Sequence, residues 1–412
     1  MIERTIYQEI KKAINEKPVV VITGARQVGK TTLCTEKIEK ELGFSYVSLA
    51  DPLLRASALE DPKAFLSLHP APLIIDEIQK APILFDYLEG EVDEQKRKGR
   101  KNSLYILTGS EAYKLKQGVS ESMRGRASFI HLSPLSMSEI QKQIEKPFIV
   151  APKENMERIS SYKIETLDLY GYIVKGFYPE LYDNPDLEPG IFYGDYIESY
   201  LTKDVDEVLQ VKEKNKFLKL MTLLASLTGE ELNYAKLSKD VGVDTKTISS
   251  WISVLEAGNL IHLLLPYNDN SIKRQIIKRP KIYFSDTGLA CYLAKVNSKE
   301  TLIASYLKGH MLETYIINEI MKSYSNNRKE KSSSFYYYRD SQQNEIDLII
   351  LNDGKLTLLE CKSGEQYSSK DLKAAEVLKT THYTIESKAI ICTCKSVYPI
   401  GDNCYLLPIT AI

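Results

Sequence analysis

At 412 residues the chain has room for roughly two to four domains and an ample core. Its 43% hydrophobic and 26% charged content is ordinary for a soluble globular protein. The net charge of −1 requires any nucleic-acid partner to be met by a local patch. Six scattered cysteines without a C-x-x-C pair argue against a zinc site or disulfide framework and fit a reducing, cytoplasmic setting.

The amino-terminal segment is charged and amphipathic (Ile2, Ile6, Ile10, Ile14), which reads as a core-facing helix and not a signal peptide. No apolar run reaches membrane-spanning length, so no membrane partner is expected. Val19–Ile22 is a β-branched run, read as a strand buried on both faces. Gly24-Ala25-Arg26-Gln27-Val28-Gly29-Lys30-Thr31 follows, a complete G-x-x-x-x-G-K-[ST] phosphate-binding pattern. Its glycines bring backbone N–H groups close to a phosphate, and a helix from Thr31 to Ile38 points its positive end at the same anion. Lys30 is expected on the β/γ-phosphates, and the Thr31 hydroxyl on Mg²⁺. Gly24 through Thr32 are the expected ATP contacts.

Ser45–Leu49 reads as the next strand, with a turn at Asp51-Pro52. The strand Leu73–Ile75 ends in Asp76 and Glu77. Asp76 is expected to hold Mg²⁺ through water, and Glu77 to polarise the attacking water. A base at that place favours hydrolysis over phosphoryl transfer to a small molecule. The strand Ser103–Leu107 ends at Thr108-Gly109-Ser110, where Thr108 or Ser110 is placed to touch the γ-phosphate or the water. Arg126, ahead of the strand Ser128–Leu132, is a candidate arginine finger acting between subunits, or else a surface cation.

Gly24–Thr31, Leu73–Glu77, Leu107–Ser110, Gly125-Arg126 and Pro134-Leu135-Ser136 together resemble the AAA+-type ATPases of prokaryotes, in the branch whose C-terminal extension is a domain of unknown function. The resemblance implies ATP and Mg²⁺ at Gly24, Gly29, Lys30 and Thr31, and the acidic pair at Asp76 and Glu77. Pro147–Ser161 is polar and reads as a linker. Gly176–Glu180, Tyr196–Val205 and Lys281–Ala290 also resemble elements of that family.

Lys216–Tyr267 has a winged-helix rhythm. A helix carries Phe217, Leu220, Leu223 and Leu224, and a second runs from about Asn233 to Val241. A third, capped by Asp244, turns Ile248, Trp251, Ile252 and Leu255 inward. Leu260–Leu265 is the expected wing strand. Thr245, Lys246, Thr247, Ser249 and Ser250 would face DNA, or the module packs between domains. Lys273–Lys281 is the most basic stretch, a phosphate grip or a solvated hairpin.

In the last region, Glu345–Leu351 and Lys355–Lys362 flank Asp353-Gly354, a two-residue hairpin signal. The implied register sets Asp347 opposite Glu360 and Glu345 opposite Lys362, all on one face. Facing carboxylates call for a divalent cation, with Glu313 completing the cage and Lys362 activating a water. Asp347 and Glu360-Cys361-Lys362 resemble the signature of the PD-(D/E)XK nuclease fold, which implies catalytic roles for Asp347, Glu360 and Lys362. A charged hairpin edge with a Glu345–Lys362 ion pair is the alternative.

The expected fold is α/β: a P-loop NTPase domain with a parallel sheet (1–150), a helical linker region (151–212), a winged-helix-like region (213–299) and a nuclease-like domain (300–412). The expected function is ATP hydrolysis that drives or switches the C-terminal regions. The alternatives are an ATP-regulated DNA or RNA nuclease and a slow nucleotide switch recruiting a protein partner. ATP and Mg²⁺ are the expected cofactors, a second divalent metal is placed in the C-terminal domain, and homo-oligomers fit the finger hypothesis.

Overall fold

The computed structural model describes residues 2–109, 123–161, 164–202, 213–269, 279–330 and 332–412. Ser110, Lys203–Val205 and Lys273–Lys278 therefore lie outside the described residues. The chain divides into two compact units, Glu3–Leu135 with 257–259, and the remainder from Ser136 onward.

In the first unit, helix α1 (Ile6–Glu16) buries Ile6, Ile10 and Ile14, as its spacing implies. Strands β1 (Val19–Thr23), β2 (Ser45–Ser48), β3 (Leu73–Asp76), β4 (Tyr105–Thr108) and β5 (Ala127–His131) form one sheet in the order β2-β3-β4-β1-β5. All pairings are parallel. β1, β3 and β4 are buried along their whole length, as apolar runs covered on both faces must be. The parallel order places the carboxyl ends of β1, β3 and β4 side by side, where ligands of such sheets sit. Helix α2 (Lys30–Leu33) continues as a π-turn over Cys34–Glu39 rather than as an unbroken α-helix. The Thr35 hydroxyl bonds the Thr31 carbonyl at 3.1 Å inside this widened turn. Asp51-Pro52 does more than turn the chain, because Asp51 caps the helix Pro52–Glu60.

The second unit joins the three regions expected after residue 150. Ser136 opens it with a capping box, and the Met137 N–H donates to the Glu319 carboxylate at 2.7 Å. The expected linker contains a helix, Pro152–Ser161. Its start is held by Asn155, whose side chain accepts from the Ala151 N–H at 2.9 Å, a cap that the polar composition hides. Around Gly176-Phe177-Tyr178, the Asp286 carboxylate accepts from the Phe177 N–H and from the Tyr193 hydroxyl, each at 2.7 Å. A side chain at Gly176, where φ is +80°, would run into that hydroxyl, and Gly288 packs directly against it.

Helices α3 (Lys214–Ser226), α4 (Tyr234–Val241) and α5 (Thr245–Ala257) precede a small antiparallel pair, β6 (Ile261–Leu264) and β7 (Lys281–Phe284). Ile248, Trp251, Ile252 and Leu255 are buried, while Thr245, Lys246, Ser249 and Ser250 are exposed. The last sheet has six strands in the order β12-β13-β11-β10-β9-β8. These are β8 (Ser333–Arg339), β9 (Glu345–Asn352), β10 (Lys355–Cys361), β11 (Thr384–Cys392), β12 (Tyr398–Gly401) and β13 (Cys404–Pro408). Asp353 and Gly354 both have positive φ, and Lys355 faces Asn352, which is the register the turn dictates. Among the described residues, no helix is long and apolar enough to cross a membrane.

Candidate functional site

The phosphate loop leaves β1 at Gly24, whose φ of +154° and closeness to the Leu132 carbonyl leave no room for a side chain. Gln27 and Gly29 also have positive φ, and Gly29 is the left-handed residue that starts α2. Ala25 and Val28 are buried, anchoring the loop from inside, whereas Thr31 and Thr32 are exposed. Arg4 fixes it from outside the motif, donating to Val28 O at 2.8 Å and to Ser133 O at 2.6 Å. Lys30 is buried, with Nζ 2.9 Å from Gly24 O and 2.7 Å from Ala25 O. Its ammonium thus lies inside the loop that is to cradle phosphates.

Asp76, at the carboxyl end of β3, is 4% exposed and ties the site together. Its Oδ2 accepts from the Thr31 hydroxyl at 3.2 Å and from the Tyr46 hydroxyl at 2.8 Å. Its Oδ1 accepts from the Thr108 hydroxyl. Burial, and then the bond to Asp76, raise the Tyr46 hydroxyl above its ordinary range, so it stays a donor. Because β4 lies between β1 and β3, Thr108 reaches Asp76. The Thr108 hydroxyl, expected near the γ-phosphate or the attacking water, is buried and donates to the same carboxylate that accepts from Thr31. Glu77 follows in left-handed backbone, φ 56°, and its carboxylate accepts from the Gln79 side-chain amide. The donor set fits Mg²⁺ and a triphosphate: a hydroxyl backed by a carboxylate, a lysine within a glycine-bounded loop, and an adjacent glutamate.

Arg126 is corrected. It stands at the amino end of β5, the edge of the parallel sheet away from the loop. Its guanidinium pairs with Asp93 at 2.9 and 2.8 Å and with Glu89 at 3.0 Å. A fork so engaged by the helix Leu84–Arg97 is a tie within this unit, not a free finger.

The carboxylates of the last region are brought together, but around a cation that belongs to the chain. Lys281 Nζ, 3% exposed, lies 2.6 Å from Glu345, 3.0 Å from Glu313 and 3.3 Å from Asp347. Tyr283 donates to Glu313 at 2.6 Å, and the Cys361 N–H to Asp347 at 2.8 Å. Glu360 takes Lys362 at 2.7 Å on one oxygen, while its other oxygen is buried and has no hydrogen-bond partner among the described residues. Lys362 therefore pairs with Glu360 and not with Glu345. Burial opposes the charge of Lys281, but the carboxylates of Glu313, Asp347 and Glu345 outweigh it and hold its pKa well above the lysine range. Burial, then Asp347, push Glu313 up to about 7, and the same two causes raise Glu360.

This corrects the second metal expected at Glu313, Asp347 and Glu360. Among the described residues no group of His, Cys, Asp or Glu is arranged to hold a metal ion. The lysine ammonium supplies the positive charge that the facing carboxylates require.

A family model described as an AAA domain matches residues 16–141, the stretch that carries the loop, Asp76 and Glu77. Residues 16–141 are an AAA-type P-loop domain. Two models described as domains of unknown function match later stretches, DUF8612 over residues 166–300 and DUF4143 over residues 308–412. The uncharacterized protein Rv2008c of Mycobacterium tuberculosis is 25% identical over 402 residues, covering 97% of this chain and 82% of that protein. The uncharacterized protein MJ1637 of Methanocaldococcus jannaschii is 25% identical over 302 residues, covering 66% of this chain and 61% of that protein. Among solved structures, a Walker-type ATPase of Pyrococcus abyssi is similar at a TM-score of 0.39 and 14% identity, covering 70% of this chain and 94% of that one. A RuvB variant of Thermotoga maritima is similar at 0.31 and 17% identity, covering 63% and 89%.

Arg4, Tyr46 and Gln79 belong to the AAA-type site without being legible in its motifs. Arg4 and Tyr46 reach it only through the fold. Gln79 had a local signal, two residues after Glu77. Lys281 was hidden in the opposite way, since a basic run suggests solvent.

Proposed function

We propose that the AAA-type domain binds ATP with Mg²⁺ and hydrolyses it, and that this drives or switches the C-terminal regions. The observation that carries the reading is the Thr31–Asp76–Thr108 tie beside Lys30 and Glu77. Thr31 would ligate Mg²⁺, which screens phosphate charge when bound, and Asp76 would orient Thr31. Lys30 would leave the loop carbonyls for the phosphates, and Glu77 would take a proton from water. Calorimetry of ATP binding tests the site: Lys30→Ala is expected to abolish tight binding, and unchanged affinity would contradict the reading.

A second reading, a slow switch that recruits a partner, is favoured by one observation. The Gln79 amide engages the Glu77 carboxylate, so turnover would wait for that bond to open. Gln79→Ala should then raise basal turnover. The metal-dependent nuclease reading loses support from Lys281, whose ammonium stands among the carboxylates such chemistry would need. A winged-helix reading of residues 213–299 rests on the three helices and the β6–β7 pair.

A further inference from the structure

The last sheet bears a half-open groove of ≈ 1060 Å³, bounded by the short helix Ala374–Leu378, the start of β11 and the β12–β13 turn. Its size is that of a large ligand site, but its lining is strongly charged. Lys370, Lys373, Lys379 and Lys388 line it against two carboxylates, Glu376 and Asp402. Lys379 is neutralised by Glu376 at 2.7 and 2.9 Å. Lys370, Lys373 and Lys388 have no ion-pair partner among the described residues. In a chain of net charge −1, that is a local excess of cations in one concavity. Tyr383, 39% exposed, presents its ring at the same place.

We propose that this groove binds single-stranded nucleic acid, the lysines gripping backbone phosphates and Tyr383 stacking on a base. Unpaired lysines with an exposed aromatic ring are the two parts such sites combine. The lysines alone would attract an acidic peptide as well as a phosphate backbone, but the exposed ring of Tyr383 beside them offers a stacking face that suits a base. The groove is separate from the carboxylate cluster. It borders Thr384, which pairs with Lys355, and Glu360 lies five residues further along β10, roughly 17 Å away at strand rise. The proposal does not depend on the ATPase reading.

Fluorescence anisotropy of the full chain with a labelled oligothymidylate of about 20 nucleotides tests it. Three phosphate contacts predict a log–log salt slope of about −2. The triple variant Lys370→Glu, Lys373→Glu, Lys388→Glu should bind at least about tenfold more weakly with a flatter slope. Tyr383→Ala should weaken binding about fivefold or more at every salt concentration. If the triple variant melts below wild type, the single Lys→Gln variants should each weaken binding and together account for the slope. Absence of oligonucleotide binding by wild type, or variants with wild-type affinity and slope, would overturn the proposal. Equal displacement of the oligonucleotide by polyglutamate would also overturn it and assign the groove to an acidic protein partner.

Discussion

Arg4 holds two buried carbonyls that nothing in the loop motif mentions. Arg4→Ala leaves them short of a donor, which costs about 1–3 kcal/mol. Denaturant unfolding should show that loss, and ATP titration should show weaker binding because Val28 belongs to the loop. Gly24→Ala should be more damaging. Its backbone strain alone is worth about 1–3 kcal/mol, and the new methyl group meets the Leu132 carbonyl. A lower melting temperature and lost ATP binding are the expected outcomes. The motif from Gly24 to Thr31 was readable because loop, charge and hydroxyl are consecutive. Arg4 and Tyr46 were not, since 24 and 30 residues separate them from the atoms they bond, and only the sheet order joins them.

The hairpin β9–β10 shows what an element can announce by itself. Asp353-Gly354 fixes the turn, the turn fixes the register, and the facing of β9 and β10 followed before any packing was known. What filled the space between the carboxylates did not follow, because Lys281 arrives from β7, 66 residues before Asp347. Lys281→Met leaves buried carboxylates unpaired and should cost about 3–5 kcal/mol in denaturant unfolding. A near-neutral result would show that the carboxylates are protonated without it. Glu145 offers a pH test on another element. Burial, then the nearby Glu139 carboxylate, push it up to about 7, even though Asn326 donates to it at 2.7 Å. The folded chain holds that proton longer than the unfolded chain. Its contribution is therefore complete below the ordinary glutamate pKa and lost as pH rises through about 7. Stability should fall over that window, Glu313 contributing in the same direction. Glu145→Gln should flatten the fall in melting temperature.

Across the whole molecule, the chain from Ser136 onward, 257–259 excepted, belongs to one compact unit that includes the three regions expected after residue 150, although composition suggested a break near residue 150. Polar sequence marks solvent exposure only on average, and here Asn155, Glu145 and Asn326 are buried and bonded. With Arg126 tied to Asp93 and Glu89, Arg126→Ala should lower stability by about 1 kcal/mol or less. ATPase activity per chain should match wild type across a dilution series. The central claim is that Glu77 polarises water beside a nucleotide held by Lys30, Thr31 and Asp76. Single-turnover hydrolysis of Mg·ATP by the full chain, wild type against Glu77→Gln, tests it most directly. The expected result is ATP affinity like wild type with turnover about 10²–10⁴-fold slower, whereas equal turnover in the two proteins would contradict it.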